Sequence, residues 1–88
     1  MDDAVTNPIR VLLVDDHPLT LAGARAALEA APDIDIVGEA ITGAEAEALV
    51  AKVRPDVLLL DLILPDRPPL EIERWVRQHH PETVTLVL

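Results

Sequence analysis

The chain contains no cysteine, no phenylalanine and no tyrosine, and Trp75 is the one large aromatic side chain it has. Without thiols there is no disulfide framework, no thiolate metal site and no cysteine nucleophile. Without Phe or Tyr, a core has to be assembled from valine, leucine, isoleucine and alanine, a palette that suits parallel strands and alanine-rich helices. Positive charge is scarce as well: 7 Lys and Arg face 16 Asp and Glu, for a formal net charge of -9. Nucleic acid and anionic membranes repel such a segment at long range, so neither is expected as a direct partner, whereas a cation is compatible. No run approaches the roughly 18 apolar residues that span a bilayer, and Met1-Asp2-Asp3-Ala4 is acidic where a secretory signal is basic and then apolar. A cytoplasmic protein is the expectation.

What is present is apolar residue in short, ordered runs. They make up 50% of the 88 residues, which excludes a disordered acidic tail and allows one small domain. Asp56-Val57-Leu58-Leu59-Leu60-Asp61, held between Pro55 and Pro65, predicts a strand buried on both faces, as in the middle of a parallel sheet. Residues 1–8 are read as a loose N-terminal segment and Ile9 to Val14 as the first strand. Pro18 suits the first turn of a helix, whose face carries Leu21, Ala24, Leu28 and Ala31 up to the break at Pro32. Ile34, Ile36 and Val37, alternating with Asp33 and Asp35, predict an edge strand with one wet face.

Thr42-Gly43-Ala44-Glu45 is a capping box, and Ala46, Leu49, Val50 and Val53 continue behind it at helical spacing. Lys52 and Arg54 suit the negative end of that helix. After a proline-rich loop, Ile72, Trp75, Val76 and His79 repeat the spacing until Pro81, and Thr83 to Leu88 reads as a fourth strand. Strand and helix therefore alternate throughout, which predicts an α/β fold with a parallel sheet and right-handed crossovers.

Two strands end on acid. Val11-Leu12-Leu13-Val14 runs into Asp15-Asp16, and the central strand runs into Asp61. In open parallel sheets the ligand crevice lies beyond the carboxyl ends of the strands, so neighbouring first and third strands would bring these three carboxylates together. Their mutual repulsion calls for a cation or shared protons. Mg²⁺ suits the donor set, being a hard ion that takes one or two carboxylates, waters and phosphate oxygens. A carboxylate beside it can act as a nucleophile toward phosphorus, and Asp61 is the natural acceptor. Blander roles are open at each position: Asp16 as N-cap of the first helix, His17 as a loop-edge residue rather than a base or ligand, His79 and His80 as helix C-terminal charges, Trp75 as core.

The segments Val11-Leu12-Leu13-Val14-Asp15-Asp16-His17-Pro18-Leu19, Val37-Gly38-Glu39-Ala40, Pro55-Asp56-Val57, Asp61-Leu62-Ile63-Leu64-Pro65 and Leu70-Glu71 resemble the receiver domain of bacterial two-component response regulators. The Asp-Asp-His-Pro opening and the second strand are similar to the LuxR/NarL-type branch, whose members usually carry a DNA-binding domain after the receiver. The resemblance runs from Ile9 to Leu88, making residues 9–88 a partial receiver domain. It implies a flavodoxin-like sheet in the order 2-1-3-4-5, with the fifth strand and the last two helices expected beyond Leu88. It further implies that Asp61 accepts a phosphoryl group from a sensor histidine kinase. Asp16, Asp61 and the backbone carbonyl of Ile63 would ligate Mg²⁺ directly, and Asp15 through water. The Thr or Ser and the Lys that read the phosphate in relatives are likewise expected beyond the chain.

One departure lies in the loop, where Asp66-Arg67-Pro68-Pro69 replaces the glycines usual in relatives. A fourth strand left as an apolar edge predicts a homodimer or element-exchanged oligomer rather than a stable monomer. Two other functions compete with phosphoacceptance. One is an unphosphorylated interaction module. The other is a Mg²⁺-dependent phosphohydrolase, which often places a second Asp two residues after its nucleophile, where this chain has Ile63.

Overall fold

The computed structural model describes residues 7–88. Most of the predicted N-terminal segment thus lies outside the described residues. The elements alternate as expected: β1 (Ile9–Val14), α1 (Pro18–Glu29), β2 (Ile34–Ala40), α2 (Gly43–Val53), β3 (Val57–Leu60), α3 (Pro69–His79) and β4 (Val84–Val87). All pairings are parallel, in the order β2-β1-β3-β4. This is the flavodoxin-like order, and it makes β1 and β3 neighbours, with Val14 level with Leu60.

The local signals explain where the helices begin and end. Pro18 opens α1, and Pro69 opens α3 behind Pro68 at its N-cap. Thr42 caps α2, its Oγ1 accepting from the Glu45 amide at 3.1 Å, while the Glu45 carboxylate accepts from the Ile41 amide at 2.9 Å. The return arm of the capping box thus reaches one residue further back than Thr42. Arg54 closes α2 in the left-handed conformation (φ 47°), donating its amide to the Val50 carbonyl before Pro55 turns the chain into β3.

Side chains alternate across the sheet and build two cores. Leu12, Val14, Leu58 and Leu60 face Ala46 and Val50 of α2 and Ile72 and Val76 of α3, with Trp75 half-buried at the margin. Val11 and Leu13 face Leu21, Ala24 and Leu28 of α1. β1 is therefore buried on both faces. β3 is not: Leu58 and Leu60 are fully covered, but Val57 and Leu59 on the α1 side are only half-buried. The reason is width. A helix about 10 Å across spans roughly two strands spaced about 4.8 Å apart, and α1 packs over β1 and β2. Beside it, a cleft of about 250 Å³ opens between Leu13, Leu21, Ala24, Leu59 and Leu88, with Asp15 and Asp61 in its wall.

β2 is an edge strand, as its alternating acids predicted, with Asp35 and Glu39 exposed. β4 is the other edge, and Val84, Leu86, Val87 and Leu88 are exposed along it.

Candidate functional site

The ladder bonds of β1 and β3 continue one residue past each strand. Asp15 donates its amide to the Ala40 carbonyl at 3.0 Å, and Asp61 donates its amide to the Val14 carbonyl at 2.9 Å. Rigid sheet geometry thereby sets two carboxylates side by side at the carboxyl edge. Asp16, one residue on, and His17 join them: one ligand atom from each of Asp15, Asp16, His17 and Asp61 lies within 4.8 Å of the others.

His17 holds the N-cap position of α1, which overturns the reading of Asp16 as that cap, and its side chain makes no capping bond. The loop folds back instead. Asp15 Oδ1 accepts from the His17 amide at 2.8 Å and lies 2.9 Å from its Nδ1. The same ring nitrogen is 2.9 Å from Asp16 Oδ1 and 3.7 Å from Asp61 Oδ2. The hydrogen bond with Asp15, and then the negative charge of Asp16, hold the imidazole above its ordinary range. His17 thus belongs to the cluster while its ring remains largely in solvent.

One atom stands out. Asp61 Oδ2 is buried and has no hydrogen-bond partner. An orphaned carboxylate oxygen facing two further carboxylates is costly as it stands, and it fits a hard cation or a transferring phosphoryl group. The donor set passes the test for Mg²⁺ on chemistry, since it offers carboxylate oxygens at a partly open edge. Ile63, whose carbonyl is the other expected ligand, lies two residues past Asp61 in the loop leading to α3, with its side chain exposed.

That loop brings in a residue the sequence did not single out as functional. Asp66 reaches across to α2, its Oδ1 accepting from the Gly43 amide at 2.7 Å and its Oδ2 from the Ala44 amide at 3.0 Å. These bonds, the Gly43 one foremost, lower the Asp66 pKa below the usual carboxylate value. Arg67 pairs with Glu47 on the same helix. His79 and His80 are not among the clustered residues: His79 stacks on Trp75 at 4.9 Å, and His80 ends α3.

The model of the response regulator receiver domain matches residues 11–88. The chain belongs to the response regulator receiver domain family. It is similar to the transcriptional regulatory protein LiaR of Bacillus subtilis (strain 168), with 39% identity over 91% of this chain and 38% of that protein. It is also similar to the DNA-binding transcriptional activator DevR/DosR of Mycobacterium tuberculosis, with 42% identity over 91% of this chain and 37% of that protein. Among solved structures it resembles the signal receiver domain of NarL from Mycobacterium tuberculosis at a TM-score of 0.88 and 36% identity, covering 92% of this chain and 65% of that one. The chain thus spans well under half the length of these curated relatives, and its likeness to them is a likeness of receiver domains of the LuxR/NarL type. Receiver domains bind Mg²⁺ at an acidic pocket and partner with histidine kinases; this chain gathers Asp15, Asp16 and Asp61 into an acidic cluster.

Proposed function

We propose that Asp61 is the phosphoryl acceptor of this receiver domain and that a sensor histidine kinase is the donor. The observation that carries the reading is Asp61 Oδ2, a buried oxygen with no partner at the end of the central strand, beside Asp15 and Asp16. In the transfer, this oxygen forms a bond to phosphorus as the bond from phosphorus to the kinase imidazole nitrogen breaks. The electron pair stays on that nitrogen, and the product is an acyl phosphate on Asp61. Asp16, Asp61 and the Ile63 carbonyl would hold Mg²⁺, with Asp15 acting through water. Bound there, the ion would draw negative charge from the transferring group. Asp15, Asp16 and Asp61 together repel an incoming phosphoryl anion until a cation is present, which makes transfer dependent on the metal.

The output assigned to this signal is transcription control, after the printed descriptions of LiaR and DevR/DosR, exerted by a DNA-binding region other than this acidic segment. The setting assigned to it is the cytoplasm, in keeping with the kinase partner; among the described residues no helix is long and apolar enough to cross a membrane. Where no further strand pairs with it, the β4 edge supports association with a second copy, either in the service of phosphorylation or as a phosphate-independent interaction module. Ile63, in place of a second catalytic Asp, weighs against phosphohydrolase activity.

Incubation with acetyl phosphate and Mg²⁺, followed by intact mass measurement, tests the reading. The expected result is a gain of one phosphoryl group that needs Mg²⁺ and is lost in Asp61→Asn. No gain in the parent protein would leave the interaction module, and multiple turnover of a phosphate ester would restore the phosphohydrolase.

A further inference from the structure

The loop from Asp61 to Pro69 contains three of the chain's 8 prolines, at positions 65, 68 and 69. Each removes an amide that could tie the loop to its surroundings. The tethers that remain are few. The Asp61 and Leu62 amides donate to the Val14 and Leu88 carbonyls, Leu64 is buried in the α2/α3 core, and the rest of the loop is fastened by the side chains of Asp66 and Arg67. We infer that Asp66 is a positioning residue for the phosphoacceptor site. By clamping the first two amides of α2, it holds the backbone between Asp61 and Pro65, including the Ile63 carbonyl, in the arrangement that receives Mg²⁺.

Three observations support this. The clamp uses both carboxylate oxygens on adjacent amides at a helix N-terminus, where charge-assisted bonds are strongest and the helix dipole favours an anion. The first three amides of α2 are all served by side chains, Thr42 taking the Glu45 amide and Asp66 those of Gly43 and Ala44. And position 43 is shaped for the contact: Gly43 is buried, and a Cβ there would stand 3.3 Å from Asp66 Oδ1 and 3.4 Å from Arg67 Cβ. Arg67 and Glu47 add a second tie one turn further along α2. Beyond the backbone bonds at Asp61 and Leu62 and the buried Leu64 side chain, the far part of the loop is thus anchored on a helix 23 residues earlier in the chain.

This inference rests on the phosphoacceptor reading for its consequence, and Mg²⁺ affinity provides a readout independent of it. Asp66→Ala and Asp66→Asn are compared with the parent chain by calorimetric Mg²⁺ titration, by rate of acetyl phosphate labelling and by urea unfolding. Losing a residue that orients ligands from behind typically costs about tenfold or more in metal affinity, and that is expected for Asp66→Ala. Asp66→Asn is expected to fall between the two, because its amide oxygen still accepts from Gly43 while its NH₂ cannot accept from Ala44. The slower labelling should recover at high Mg²⁺. A purely structural role would lower the urea midpoint while leaving the affinity of the folded variants within about twofold of the parent, and that result overturns the inference. If Asp66→Ala does not fold, Asp66→Asn decides alone. A parent chain that binds Mg²⁺ but takes no phosphoryl group refutes the phosphoacceptor reading while weaker binding by the variants still upholds the clamp. A parent chain that binds no Mg²⁺ refutes both.

Discussion

Nδ1 of His17 lies 2.9 Å from Oδ1 of Asp15 and 3.7 Å from the unpartnered Oδ2 of Asp61, so the one base in the cluster sits among the acids proposed to bind the metal. Protonated, it supplies the positive charge that three neighbouring carboxylates lack. Neutral, it leaves them to repel. The ring and a bound cation are therefore rivals for the same field.

The first prediction follows from that rivalry. The hydrogen bond with Asp15 and the charge of Asp16 raise the His17 pKa above 6.5. A raised cationic group stabilises the folded state in full below the unfolded value, and that contribution is lost as pH rises through the folded value. Metal-free protein should lose this contribution across the window just above pH 6.5, and His17→Asn should flatten the change. Added Mg²⁺ should lower the imidazole pKa. Proton NMR titration of the His17 ring, with and without Mg²⁺, checks both statements. A metal-free value at or below 6.5 would count against them.

The uneven cover of β3 yields a second. Leu58 is fully buried between β1, α2 and α3, whereas Leu59 points toward the cleft beside α1 and is half-buried. Leu58→Ala should cost about 2–5 kcal/mol, the range for a core leucine, and Leu59→Ala distinctly less. Urea unfolding of the two variants, adjacent in sequence and alike in chemistry, tests whether burial differs across the strand as described.

Gly43 gives a third. An added Cβ would come within 2.9 Å of Ile72 Cδ1, and Ile72 is fully buried with little room to yield. Gly43→Ala should therefore destabilise by about 1 kcal/mol despite alanine's better helix propensity. Ile72→Val removes the clashing methyl at a cost of about 0.5–1.5 kcal/mol by itself. The double variant should lose less than the sum of the singles, and strict additivity in a double-mutant cycle would show that the contact is not tight.

How far the residues announced this molecule differs from part to part. The strand and helix order was legible because each element carries local signals: apolar runs for β1 and β3, prolines at the starts of α1 and α3, the Thr42 box for α2. The convergence of Asp15, Asp16 and Asp61 was legible too, because parallel strands share a carboxyl edge. The half-open face of β3 was legible only through the resemblance, which places the last two helices beyond Leu88; the apolar run alone reads as buried on both faces, because it records what a strand can bury and not which helices among the described residues cover it. The Asp66 clamp was not legible. A cap supplied from 23 residues away leaves no spacing to read. His17 was visible as a residue near the acids, but its turn toward Asp61 depends on the loop folding back over Asp15, which sequence does not display.

The β4 edge carries the last prediction. Val84, Leu86, Val87 and Leu88 are 40–74% exposed on a strand whose outer backbone groups have no strand partner among the described residues. An apolar edge of this kind is a template for pairing with another strand, and a single inward lysine is the device by which natural sheets block it. The 88-residue chain should therefore associate in a concentration-dependent way, and Leu86→Lys should shift it toward monomer with little change in fold, because Leu86 is 48% exposed and leaves no cavity. Multi-angle light scattering over a dilution series, with circular dichroism as the control for folding, separates the cases. A compact monomer at every concentration would mean that the exposed strand is protected by its own twist and shortness, and association would then have to be sought on another surface.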